Sequence, residues 1–220
     1  MIEAASPGHL GRPDQCGERE HRIVVAAREL RFVAPSSVDD LLAAVNDAEQ
    51  IPFWAQVWDS SFGLSQYLES VQGRPRGKGR LLELGCGVGV TGCVAAVLGW
   101  QVTMTDHHLD ALSYARRNLN ANGLTAGLAL ADWRRFPFKG PFDLVVGSDI
   151  LYEPTMHDCL EQILSGFLVD GATIVLSDPG RGYALDFAAR LERAGWQSAL
   201  EMQDGREGPI GIYVFKPAAE

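Results

Sequence analysis

The segment Leu81-Leu82-Glu83-Leu84-Gly85-Cys86-Gly87-Val88-Gly89 runs an apolar stretch into a glycine-rich turn, and a helical pattern follows it. Glycines in such a turn let the backbone bend tightly and let a ligand approach main-chain amides with no Cβ in the way. Three acids stand where a nucleoside could use them. Glu83 precedes the loop, at a place where a dinucleotide-binding strand is normally apolar throughout, and a carboxylate there suits a cation such as an α-amino group. Asp106 follows the loop by about twenty residues, the spacing at which an acid accepts hydrogen bonds from ribose hydroxyls. Asp132 is followed by Trp133, an acceptor for an exocyclic amino group beside a ring that can pack on a base. Taken singly, the glycine turn is also the mark of a strand-to-helix turn that binds nothing, and Trp133 that of a core aromatic.

Together the acids favour a cofactor without phosphate, because Glu83 would repel a diphosphate. S-adenosylmethionine carries adenine, ribose, an amino acid and a sulfonium cation, and it matches. A second pair, Asp149 and Tyr152, ends the next apolar segment and stands beside the presumed methyl group. An incoming alkyl amine, with a pKa of ~10.4 where it is a lysine-type primary amine, attacks only when deprotonated. A carboxylate alone would favour the ammonium form, so Asp149 is read as orienting the amine. Burial against aromatic walls, Tyr152 among them, favours the neutral amine. The alternative is a helix N-cap at Asp149 with Tyr152 in the core. His107-His108 has no second metal ligand at helical spacing, Cys86 reads as a small residue filling the turn, and no metal is called for.

The elements that must position these groups alternate. Strands are expected at 80–84, 101–106, 127–131, 142–149 and 171–177, and helices at 89–99, 108–121, 154–168 and 182–194. Such alternation argues for a doubly wound α/β fold with a mostly parallel sheet covered on both faces. Trp196–Met202 and Gly211–Phe215 read as consecutive strands around Asp204-Gly205, which makes the last strand antiparallel. Upstream, Arg22–Val25 and Leu30–Val33 suggest a hairpin, and Ser36-Ser37 cap a helix with Val38, Leu41, Leu42 and Val45 inward. Phe53, Trp54, Val57 and Trp58 form an aromatic cluster before a helix carrying Phe62, Leu64, Tyr67 and Leu68, and Gly73–Gly79 is a basic surface loop. The division is a flexible tail at 1–20, packing elements at 21–79 and the cofactor domain at 80–220.

The 220 residues, 46% hydrophobic and 21% charged, describe one folded unit of ordinary size. A net charge of −9 argues against a large nucleic-acid interface. No apolar run reaches the ~20 residues that cross a bilayer, and no secretory signal is evident. Cys16, Cys86, Cys93 and Cys159 show neither metal-ligand spacing nor a disulfide framework, so a reduced, cytoplasmic setting is expected, and a monomer.

Glu83-Leu84-Gly85-Cys86-Gly87, Thr105-Asp106, Phe142–Val146 and the terminal strand pair resemble the class I, seven-stranded, Rossmann-like methyltransferases that use S-adenosylmethionine. Val57-Trp58-Asp59-Ser60-Ser61 and Gly147-Ser148-Asp149-Ile150-Leu151-Tyr152 narrow the resemblance to the methyltransferase-like protein-lysine methyltransferases, over about residues 50–216. It implies that Trp58 lies against the cofactor, that Gly85, Cys86, Gly87, Asp106, Trp133 and Ser148 line the same pocket, and that the Asp-x-x-Tyr of Asp149 and Tyr152 marks the acceptor side. It also implies a protein substrate such as a chaperone, an elongation factor or an electron-transfer flavoprotein subunit. Methyltransferases acting on nucleobase amino groups typically place two prolines where this chain has Ile150 and Leu151. A small-molecule or nucleic-acid methyltransferase, and a non-catalytic cofactor-binding module, remain the alternatives. A nicotinamide oxidoreductase is opposed by Glu83 and by the lack of an obvious hydride-transfer residue.

Overall fold

The computed structural model describes residues 17–38, 41, 51–70, 79–138, 142–166 and 172–217. Most of the expected tail, most of the helix after Ser36-Ser37 and most of the basic loop lie outside these residues. Two strands, β1 (Glu18–Val25) and β2 (Arg28–Pro35), pair antiparallel as a hairpin, and β1 begins at Glu18 rather than at Arg22. Then come α1 (Asp59–Ser70), β3 (Arg80–Leu84), α2 (Val90–Val97), β4 (Gln101–Asp106), α3 (Leu109–Ala121) and β5 (Gly127–Leu130). The second half holds β6 (Leu144–Ser148), α4 (His157–Gly166), β7 (Thr173–Asp178), α5 (Gly182–Arg193), β8 (Trp196–Asp204) and β9 (Pro209–Pro217).

Seven of these strands form one sheet in the order β5-β4-β3-β6-β7-β9-β8. β3, β4, β5, β6 and β7 run parallel to one another, and β9 is antiparallel to both β7 and β8. The central strands are apolar on both sides because both faces are covered: Leu81, Leu82 and Leu84 of β3 and Val145 and Val146 of β6 are fully buried. One core gathers the hairpin, α1, α2 and α3 on one face, with Phe32, Leu64, Tyr67 and Val94 at its centre. The other gathers α4 and α5 around Leu160, Phe187 and Leu191. This is the expected doubly wound, Rossmann-like fold, with the antiparallel strand last in the chain.

The chain leaves β3 toward β4 and β5 on one side and resumes at β6 and β7 on the other. Strand order therefore reverses between β3 and β6, and a crevice opens beyond their carboxyl ends, where open α/β sheets hold ligands. The glycine turn, Asp106, Asp132, Trp133, Ser148, Asp149 and Tyr152 gather there.

Candidate active site

The glycine turn is shaped by hydrogen bonds to β4. The Cys86 amide donates to the Thr105 carbonyl at 2.9 Å, the Thr105 hydroxyl donates to the Glu83 carbonyl at 2.7 Å, and the Gly87 amide donates to Asp106 Oδ2 at 2.9 Å. Gly85, Gly87 and Gly89 have φ of +64°, +52° and +86°, values that an L side chain resists. Asp106 also accepts from the His108 amide through Oδ1 at 3.0 Å, so one carboxylate ties the loop to the start of α3. It is 5% exposed, and two of its lone-pair directions remain for a ligand.

A cavity of about 560 Å³ opens beside this loop, within the range that takes cofactor-sized ligands. Gly85, Cys86, Gly87, Asp106, Asp132 and Trp133 all line it. Asp132 stands two residues beyond the end of β5 and caps a short 3-10 helix, Trp133–Arg135, by accepting from the Arg134 amide at 2.9 Å. The Trp133 ring and Ile150 both approach the glycine loop: a Cβ at Gly85 would meet Ile150 at 3.0 Å and Trp133 at 3.5 Å. Ser148 at the end of β6, Asp149 and Tyr152 just beyond it, and Trp58 also line the cavity. Trp58 donates its indole N–H to the Phe53 carbonyl at 2.9 Å. The Phe53 ring sits 6.3 Å from that of Trp58 and 5.2 Å from that of Tyr152, centroid to centroid, so three aromatics frame the mouth. The alternative of a capping Asp149 and a core Tyr152 does not hold: the helical turn at Pro154–Met156 begins from Glu153, and Tyr152 is 37% exposed.

Glu83 requires a correction. It was read as the partner of a ligand's amino group, yet it is 1% exposed and is not part of the cavity wall. Its side chain turns toward α2, where a Cβ on Gly92 would lie 2.5 Å from Oε2. Burial, with the Asp106 charge adding to it, pushes the Glu83 carboxyl up to about 8, and the Gly92 amide opposes the rise. Glu83 is therefore a neutral acid packed behind the loop at pH 7. Side chains on a strand alternate between its two faces, and a five-residue strand leading into a loop gives no sign of which face the ligand uses. Cys86 does line the cavity, but burial and the neighbouring acids Asp106 and Glu83 hold its thiol well above the usual range, so it is no nucleophile.

Asp149 is 7% exposed and has φ of +59°, the left-handed region that among side-chain-bearing residues suits Asp and Asn best. Its amide donates to the Ser177 carbonyl at 2.8 Å, Ser60 Oγ donates to Oδ2 at 3.1 Å, and the Arg181 guanidinium donates to Oδ1. Burial lifts the Asp149 carboxyl above its ordinary value, against the lowering effect of Arg181 and Ser60.

Sequence reasoning passed over several groups at this site. Phe53 and Trp54 were noted only as an aromatic cluster; both line the cavity, and Trp54 packs on Tyr114 at 5.7 Å and on His108 at 6.4 Å. Ser60 sat within a motif without a role of its own. Arg181, thirty-two positions after Asp149, carried no signal at all.

The residues present fit S-adenosylmethionine: a glycine cradle, an acid placed for ribose hydroxyls, an acid and an indole placed for adenine, and an acidic wall for cations. Residues 38–183 match the family described as Lysine methyltransferase. The chain is 36% identical over 185 residues to the protein N-lysine methyltransferase METTL21A of Mus musculus, covering 77% of this chain and 79% of that protein. It is 38% identical over 122 residues to the EEF1A lysine methyltransferase 3 of Mus musculus, covering 53% of this chain and 52% of that one. Among solved structures, a Thermus thermophilus 16S rRNA N2 G1207 methyltransferase in complex with AdoMet and guanosine superposes with a TM-score of 0.64 at 17% identity, over 92% of this chain and 51% of that one. Fold, site and sequence converge, and the chain belongs to the lysine methyltransferase family, with S-adenosylmethionine as its cofactor.

Proposed function

We propose that this enzyme methylates the side-chain nitrogen of a lysine in a protein substrate, with Asp149 seating the amine and Tyr152 and Phe53 walling it from water. The observation that carries the reading is a buried carboxylate on the cavity wall, at Asp149, beside an aromatic mouth. Bound in the cavity, S-adenosylmethionine supplies an electrophilic methyl carbon on its sulfonium sulfur. Gly85 and Gly87 offer backbone to it, Asp106 meets the ribose, Asp132 and Trp133 meet the adenine, and Trp58 and Ser148 close the pocket. Asp149 accepts hydrogen bonds from the incoming amine and fixes its line of approach, which is where a displacement gains most of its rate. The rings of Tyr152 and Phe53 exclude water from around the amine, and this desolvation favours its neutral, attacking form, the proton having passed to solvent before the seat closes. The Tyr152 phenol is pushed up by burial and by the neighbouring acids Glu153, Asp106 and Asp149, and it stays protonated.

The identity of relatives that act on proteins supports this acceptor, as does the acidic character of the wall at Asp106, Asp132, Asp149 and Glu153. We further propose a cytoplasmic setting, on the support of the free thiols of Cys86, Cys93 and Cys159. Incubation of the pure protein with methyl-labelled S-adenosylmethionine and cell extract tests the acceptor. Label should survive nuclease, remain with macromolecules on size filtration, and emerge as methyl-lysine on acid hydrolysis. Label lost to nuclease, or recovered in the small-molecule fraction, contradicts it.

A further inference from the structure

Asp149 is held from behind by a cation that does not itself reach the cavity wall. The guanidinium of Arg181 donates to Asp149 Oδ1 and also to Asp178 Oδ2, the latter at 3.1 Å. Asp178 ends β7 fully buried, and its other oxygen accepts from the amides of Gly180 at 2.8 Å and Arg181 at 2.6 Å. Ser148 of β6 is in register with Ser177 of β7, so the next residues of these parallel strands bring two carboxylates side by side. Of the three charged groups only Asp149 lines the cavity, and the Arg181 side chain is 32% exposed.

Two acids and one base leave a single net negative charge in this wall. The two acids are not equally supported. Asp178 has two backbone amides at the start of α5, where the helix dipole also favours an anion. Among the described residues, the Asp149 carboxylate has the Ser60 hydroxyl besides Arg181. Stripped of the guanidinium, it would be a buried carboxyl beside a second carboxylate, and both circumstances favour the neutral acid. A neutral acid cannot attract a cation, and it presents a proton where the amine needs an acceptor.

We propose that Arg181 is a positioning residue for methyl transfer, fixing the Asp149 carboxylate as the anionic seat for the acceptor's ammonium group while Asp178 anchors Arg181. The inference rests on the lysine reading above. The groups facing Asp149 are Arg181 from the start of α5, Asp178 from β7, Ser60 from α1 and Tyr152 from its own loop. The direction of each agrees: Arg181 and Ser60 lower the Asp149 carboxyl, and burial and Asp178 raise it.

The test is a ¹³C carboxyl titration of Asp149 in the full chain, the signal assigned by its loss in Asp149→Asn. In Arg181→Gln the midpoint should rise by about one pH unit or more, whereas in Arg181→Lys, which keeps the charge, it should stay near the parent value. The acid limb of methyl-lysine formation should move with it, while affinity for S-adenosylmethionine stays within about twofold. A midpoint unmoved in Arg181→Gln overturns the proposal. If Arg181→Gln does not fold, Arg181→Lys decides alone: methyl transfer slowed about tenfold or more, with the midpoint and the cofactor affinity kept, supports the fixing role of the guanidinium fork, and transfer at the parent rate overturns it. Should the parent protein form no methyl-lysine, the lysine reading fails by that assay, and the titration still reports separately whether Arg181 governs Asp149.

Discussion

Two buried acids at this site carry opposite duties. Asp149 lines the cavity and is bonded for charge, whereas Glu83 lies behind the glycine loop and is kept neutral. The Glu83 carboxyl has a folded value of about 8 against an ordinary 4.5, so the folded chain retains a proton that the unfolded chain releases between those limits. Its contribution to stability is fully present below the lower value and is lost as pH rises through the upper one. Glu83→Gln should therefore melt like the parent near pH ~5 and hold up better than the parent near pH ~9. Parallel pH profiles in thermal unfolding would contradict the assignment. The opposite duty of Asp149 predicts that Asp149→Asn, which tolerates the same left-handed backbone, keeps the fold and the cofactor yet loses methyl transfer by about a hundredfold or more. A rate assay under saturating cofactor checks it. Both acids stood out in the sequence, but their roles differed in legibility. Asp149 was placed by the motif around it. The direction of Glu83 depends on which strand face meets α2, and packing alone decides that.

At the scale of elements, the hairpin shows how a small sheet is held on a larger fold. Two asparagines four residues apart, Asn118 on α3 and Asn122 at its C-cap, stand in for a neighbouring strand along β2. Asn122 accepts from the Arg31 amide at 3.0 Å and donates to the Arg31 carbonyl at 2.7 Å, and Asn118 accepts from the Val33 amide at 2.9 Å and donates to the Val33 carbonyl at 3.0 Å. Asn118 also donates to the Val88 carbonyl at 2.9 Å, which links the hairpin to the glycine turn. Removing a fully buried amide that serves three backbone groups leaves them unpaired, so Asn118→Ala should destabilise by about 3 kcal/mol or more in urea unfolding. Asn118→Asp should not rescue it, since a carboxylate cannot donate. A loss under about 1 kcal/mol would show that water replaces the amide. The hairpin turn itself is costly: Ala26 and Ala27 both have positive φ, at 48° and 61°, in a two-residue connection that prefers Asn-Gly. Exchanging the pair for Asn-Gly should raise the melting temperature by roughly 2–4 °C, the shift expected for about 1 kcal/mol in a chain of this size. An unchanged or lower melting temperature would mean that the turn is unstrained. The hairpin was legible from its apolar strands. Its partner was not, because Asn118 and Asn122 look like ordinary polar residues on a helix, and only the tertiary fold brings them to a strand edge.

Across the whole molecule, the alternation of strands and helices was legible because each element buries a characteristic stripe, and the expected strands lie within a few residues of the observed ones. The order β5-β4-β3-β6-β7-β9-β8 has no such local signature, since it reflects which strands pair. That order is nonetheless what makes the site. It sets β3 beside both β4 and β6, so the glycine turn, Asp106 and the Ser148–Tyr152 segment meet at one crevice. It also sets β6 beside β7, which brings Arg181 and Asp178 to Asp149. The cofactor half and the acceptor half therefore come from different strand ends and should be separable by mutation.

Calorimetric titration of S-adenosylmethionine into the parent protein, Asp106→Ala and Asp149→Asn tests that separation most directly. Asp106→Ala should weaken binding by about a hundredfold or more, through the lost ribose contact and the freed glycine loop, while Asp149→Asn binds within about threefold of the parent. Normal binding by Asp106→Ala, or binding lost in Asp149→Asn, would contradict the placement of the cofactor over the glycine turn with the acceptor seat beyond it.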